Sequence, residues 1–209
     1  MSSNKHLREG LSNIREVRTA LVLGTEQSVE KRGKDDYEWN FRGLACRTGT
    51  PYEVMDYLGS YTETIEAGAF RTTLNENPDV TFLINHSGLP LASTKAGTMR
   101  LWESDRGLEV EATLDLTNPM SQQVMSGVAR GDITEMSFAF RVVTQEWDEN
   151  YEDRLVKIIN LHRGDVSVVD RGANPTTEAG EGDDDDEDYD DDVTVILLQQ
   201  QQEEALLLE

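Results

Sequence analysis

Apolar residues along the chain repeat with two different periods, and the changes of period mark out its elements. Leu7, Leu11, Ile14, Val17 and Leu21 recur at helical spacing, which lays one apolar stripe along an N-terminal amphipathic helix. Residues 27–36 are polar and charged around Gly33 and read as a linker. Across 39–65 aromatic and aliphatic residues take strand spacing on either side of a Gly-Thr-Pro turn at 49–51. A short helix fits 68–74, and 80–85 is a compact apolar strand ending just before His86. Residues 98–102 and 108–116 suggest a hairpin turning at 105–107.

Asn118 followed by Pro119 is a helix start, with Asn as the N-cap and Pro at the first helical position. That helix should end at Arg130, since Gly131 is a favoured residue just past a helix terminus. Two further strands, 133–143 and 155–169, flank a charged loop at 146–153. The pattern is mostly β with a few helices, an α+β class. Residues 180–192 are almost wholly acidic and cannot bury apolar surface, so they should be disordered. The apolar and Gln-rich residues after them favour a C-terminal helix that needs a docking surface.

Charge and cysteine content narrow the function classes. The 209 residues suit one domain with appendages. A formal net charge of -22, from 19 Lys and Arg against 41 Asp and Glu, repels nucleic acid and disfavours it as a partner. Ten of the acids lie within 181–192, and the body is acidic without them. That acidic run lacks the central Gly and terminal Glu of an EF-hand loop, so calcium binding is not expected. The single cysteine, Cys46, can form no internal disulfide and no Cys-based zinc cluster. Charges throughout the first 22 residues break up any signal peptide or membrane span, which predicts a soluble, unexported protein in a reduced cytoplasm. No metal or other cofactor is expected.

Candidate chemistry rests on few residues. In 133–143 read as a strand, Thr134, Met136, Phe138, Phe140 and Val142 share the core face. Ser137 then projects from the other face, away from the core, on rigid backbone that suits a nucleophile. An outward serine on such a strand is more often simply solvated. His6, His86 and His162 are the available imidazole bases. His6 reads as a surface residue, whereas His86 stands at a strand end, where loops place functional groups. Along 155–169 simple alternation points His162 and Asp165 to opposite faces, unless Gly164 forms a bulge that resets the register. Either residue could orient His86, Asp165 more strongly by stabilising the protonated imidazole.

Five strings taken in order carry a resemblance: EAGAF at 66–70, FLINHSGLPLAST at 82–94, RGLEVEATL at 106–114, ARGDITEMSFAF at 129–140 and GDVSVVDRGANP at 164–175. Together they resemble the prohead protease family of tailed phages, related in fold and chemistry to herpesvirus assemblins. The resemblance implies a closed or nearly closed antiparallel barrel with flanking helices. It also implies a serine endopeptidase in which Ser137 is the nucleophile, His86 the general base and Asp165 the third member. His162 stays open for that third position, because assemblins use a histidine there. Ser87 and Ala92 depart from the family's usual Asp and Gly, which bears on the loops around the histidine. The turn 170–172 is a candidate contributor to the oxyanion hole.

The expected organisation is a helix and linker at 1–36, the protease domain at 37–178, an acidic linker at 179–192 and a helical segment at 193–209. Expected substrates are the major capsid protein and scaffold segments, cut within the assembling procapsid in the host cytoplasm. A homo-oligomer is compatible with that setting, and neither nucleic acid nor membrane is expected as a partner. The alternative is a catalytically inactive scaffold or assembly protein of the same fold.

Overall fold

The computed structural model describes residues 8, 14–21, 28–32, 36–56 and 58–169. Seven of its strands form one sheet in the order β4 (Tyr52–Asp56), β5 (Gly59–Ile65), β11 (Asp153–Asn160), β10 (Glu135–Trp147), β12 (Asp165–Val169), β6 (Thr81–Ile84) and β7 (Ser87–Ser93). An eighth strand, β1 (Arg15–Leu21), joins by pairing antiparallel with β10. The second sheet runs β2 (Ser28–Arg32), β3 (Asp36–Arg47), β9 (Gly107–Asp115) and β8 (Met99–Ser104). Two helices complete the described elements, α1 (Arg71–Asn75) and α2 (Pro119–Arg130).

Among the described residues neither sheet closes, so the expected barrel is corrected to two open sheets in a mostly β fold. The larger one is also mixed rather than antiparallel, because β5 runs parallel to β11 and β6 parallel to β12. Parallel neighbours need crossover connections, and here these leave β4 and β7 as the two ends of the strand path. The core lies where apolar residues of the strands face one another. Phe138 and Phe140, on one face of β10, stack at 4.7 Å, and Phe70 meets Phe138 edge-on at 5.8 Å. Phe41 of β3 packs edge-on against Phe82 of β6 at 5.1 Å.

Several elements match the sequence reading because their signals are local. Asn118 caps α2 through its side-chain oxygen, which accepts from the Met120 amide, and Gly131 ends the helix in the left-handed conformation. β8 and β9 form the hairpin around 105–107, where Gly107 at φ 137° passes so close to the Cys46 carbonyl that a Cβ would overlap it.

Other expectations are corrected. Residues 15–21, placed in an N-terminal helix, are strand β1, because β10 offers a complete backbone partner from Arg141 to Glu135. Within the expected linker, β2 pairs with β3. The strand read as 155–169 is broken: β11 ends at Asn160 and β12 begins at Asp165, with a turn between them in which Arg163 adopts φ 60°. The acidic run at 179–192 and the helical segment at 193–209 lie outside the described residues, as do His6 and the turn at 170–172.

Candidate active site

β10 is the strand on which the site is built. Its Ser137 pairs on one side with Ser167 of β12 and on the other with Thr19 of β1. Ser137, expected to project away from the core, is itself buried, at 1% exposed. Alternation does turn it off the aromatic face of β10, and on the other side its hydroxyl meets the His86 ring and the Arg18 carbonyl of the neighbouring β1.

His86 follows β6 in a tight turn, with Asn85 at φ 49° and His86 at φ 56°. Left-handed backbone costs a non-glycine residue about 1 kcal/mol, and here it aims the imidazole back across the sheet. The turn is tied down by the His86 amide, which donates to Ser167 Oγ at 3.2 Å, and by the Asn85 amide, which donates to the Val168 carbonyl at 3.0 Å. Asp165 opens β12 only because the 161–164 turn passes close against β10. At Gly164 a Cβ would lie 2.2 Å from the Ala139 carbonyl oxygen, so no larger residue fits without displacing backbone.

These elements bring Ser137, His86 and Asp165 into one line of hydrogen bonds. Ser137 Oγ lies 2.6 Å from His86 Nε2, and His86 Nδ1 lies 2.5 Å from Asp165 Oδ2. Burial raises the Asp165 pKa, but the hydrogen bond and charge of His86, with bonds from Arg15 and Ser167, outweigh it and hold the group below its ordinary value. The ionised carboxylate can only accept, so Nδ1 carries a hydrogen and Nε2 of the neutral ring is left as an acceptor facing Ser137.

His162 is not part of this line. It is exposed in the turn after β11, where its Nδ1 accepts from the Asp79 amide at 3.2 Å. Two neighbours of Asp165 were not foreseen. Ser167, fully buried, donates to Asp165 Oδ2 at 2.8 Å while accepting from the His86 amide. Its signal was present in the sequence, since it sits two residues from Asp165 on the same strand face. Arg15 Nη2 donates to Asp165 Oδ1 at 2.7 Å, and the helical reading of its segment concealed it.

Ser137 Oγ also lies 3.0 Å from the carbonyl oxygen of Arg18 in β1. The single hydroxyl hydrogen therefore has two acceptors, the imidazole and a backbone carbonyl. Among the described residues no group of three or more His, Cys, Asp or Glu could hold a metal ion, and no helix is long and apolar enough to cross a membrane.

The family described as Caudovirus prohead serine protease matches residues 26–189. The fold resembles the solved capsid assembly protease gp21 of bacteriophage T4, with a TM-score of 0.51 and 11% identity over 76% of this chain and 98% of that one. No curated protein sequence matches.

Proposed function

The chain belongs to the Caudovirus prohead serine protease family, and from that premise we propose that it is a serine endopeptidase using Ser137, His86 and Asp165 to cut capsid or scaffold segments inside the immature procapsid. The observation that carries the assignment is the unbroken relay from Ser137 Oγ through both ring nitrogens of His86 to Asp165.

His86 Nε2 takes the Ser137 proton as Oγ attacks a peptide carbonyl, and returns it to the departing amine. Water then attacks the acyl-enzyme with His86 again as base. Asp165 holds the ring in the tautomer that leaves Nε2 free and stabilises the imidazolium as it forms. Ser167 acts through Asp165 and is a positioning residue. Backbone amides must stabilise the oxyanion.

Co-expression with the capsid protein tests the reading. Wild type should shorten the capsid protein, and Ser137→Ala should leave it at full mass. Identical, uncut masses from both would overturn the protease and favour an inactive scaffold protein.

A further inference from the structure

β1 lies in the place an extended substrate would take. It runs antiparallel beside the nucleophile strand, with Thr19 opposite Ser137, and the Arg18 carbonyl reaches the Ser137 hydroxyl. Adding a strand to an exposed sheet edge is a common way to bind peptide, with backbone bonds giving affinity and alternate side chains giving specificity. β1 also precedes the residues matched by the family, whereas β10, β5 and β11 lie within them.

The alternate side chains of β1 enter a built charged site. Arg18 donates from Nε to Glu63 Oε1 at 2.6 Å and from Nη2 to Glu63 Oε2 at 3.0 Å, a two-pronged pairing. The Glu63 side chain is wholly buried. It also accepts from Tyr52 and, at 2.7 Å, from Arg154 Nη1. Two residues upstream, Glu16 accepts from Arg154 Nη1 at 2.7 Å and from Nη2 at 2.8 Å. Glu63 and Arg154 belong to the body of the fold, and Glu16 and Arg18 to the strand lying in it. Seated together, the two carboxylates and two guanidiniums cancel. An acid in place of Arg18 would set two carboxylates against each other out of water.

We propose that β1 is an internal substrate, and that Glu63 selects a basic residue before the scissile bond while Arg154 selects an acid two residues earlier. This deepens the protease reading and rests on it. The preferred sequence is acid, any residue, then Arg, as in Glu16-Val17-Arg18, and the chain cuts itself between Arg18 and Thr19.

In that cut Ser137 Oγ bonds to the Arg18 carbonyl carbon and the Arg18–Thr19 C–N bond breaks. The hydroxyl proton passes through His86 to the Thr19 nitrogen, and water then splits the ester to give an Arg18 carboxyl group and restore Ser137. As placed here the carbonyl oxygen accepts from the hydroxyl, so it must first turn to present its carbon. Until it does, β1 fills the strand position beside Ser137, and Arg15 neutralises Asp165 from the same strand.

The test uses full-length chains, wild type and Arg18→Gln, each co-expressed with the capsid protein, with terminal sequencing of every fragment. A chain fragment beginning at Thr19 is expected from wild type, and it should form about 100-fold more slowly in Arg18→Gln, which leaves the buried Glu63 with one charged partner fewer. Capsid cuts should follow Arg or Lys, with Glu or Asp two residues earlier. Capsid cuts after acidic or apolar residues, or a capsid cut with no Thr19 terminus, would overturn this inference and leave the protease standing. An uncut capsid and an uncut chain would remove both. The wild-type fragments decide the matter even if the variant misfolds. Glu63→Gln should relax the choice at the capsid cuts from basic residues toward Gln, a change of selectivity that mere destabilisation would not produce.

Discussion

Three donors converge on the buried Asp165 carboxylate: His86 Nδ1, Ser167 Oγ and Arg15 Nη2. Removing the acid should therefore be felt twice. Asp165→Asn should lower kcat by about 10³- to 10⁴-fold with a smaller effect on KM, because the ring loses its tautomer and its counter-charge. The same substitution should alter stability in acid. The folded pKa lies below the unfolded one, so between the two values the unfolded chain binds more protons. The contribution of Asp165 is thus complete above about pH 4 and is lost as pH falls through the folded value. Urea midpoints between about pH 3 and 5 should fall less steeply in Asp165→Asn than in wild type, and parallel curves would contradict this. Ser167→Ala should cost about 1–2 kcal/mol, since it leaves the His86 amide without its hydroxyl acceptor. Strand position and the scarcity of histidine only narrowed the field; it was the family resemblance that pointed to Ser137, His86 and Asp165. The resemblance favoured Asp165 over His162, and the turn at Gly164 is what carries Asp165 to His86 in the fold while His162 stays exposed.

Among the elements, those set by neighbouring residues were legible and those set by distant partners were not. α2 begins and ends where Asn118, Pro119 and Gly131 require, because caps act within one turn. Asn118→Ala should lower stability by about 1 kcal/mol and leave peptidase activity unchanged, as chemical unfolding and an activity assay would show. β1 carries an apolar repeat at helical spacing, yet it is a strand. Pairing with β10 along its whole length and anchorage of Arg15 and Arg18 on Asp165 and Glu63 outweigh a local preference. The break between β11 and β12 was similarly hidden, because an unbroken alternating pattern does not reveal how closely a turn must pass β10. Gly164→Ala should cost about 2 kcal/mol or more, since the added carbon meets the Ala139 backbone rather than a movable side chain. Unchanged thermal unfolding would refute that close approach.

At the scale of the whole molecule, the composition changes at Gly180 from a mixed domain sequence to an acidic run. Truncation after Thr177 should accordingly retain peptidase activity, while reducing packaging into shells if the acidic tail holds the enzyme there. A peptidase assay and the protein content of isolated procapsids would measure the two effects separately. Confinement in a shell raises the local concentration of substrate and permits weak intrinsic affinity. By itself the sequence determined the mostly β class, the capped helix, the acidic charge and the ordered strings that identify the family. All of these are properties of neighbouring residues, or of composition, and need no knowledge of which strands meet. Tertiary structure alone decided that the sheets stay open, that Ser137 is buried, that Asp165 rather than His162 faces His86, and that β1 occupies the strand position beside the nucleophile. Each of those depends on pairings between residues far apart in the chain, whose energies come from backbone hydrogen bonds and buried charge contacts that no local pattern encodes.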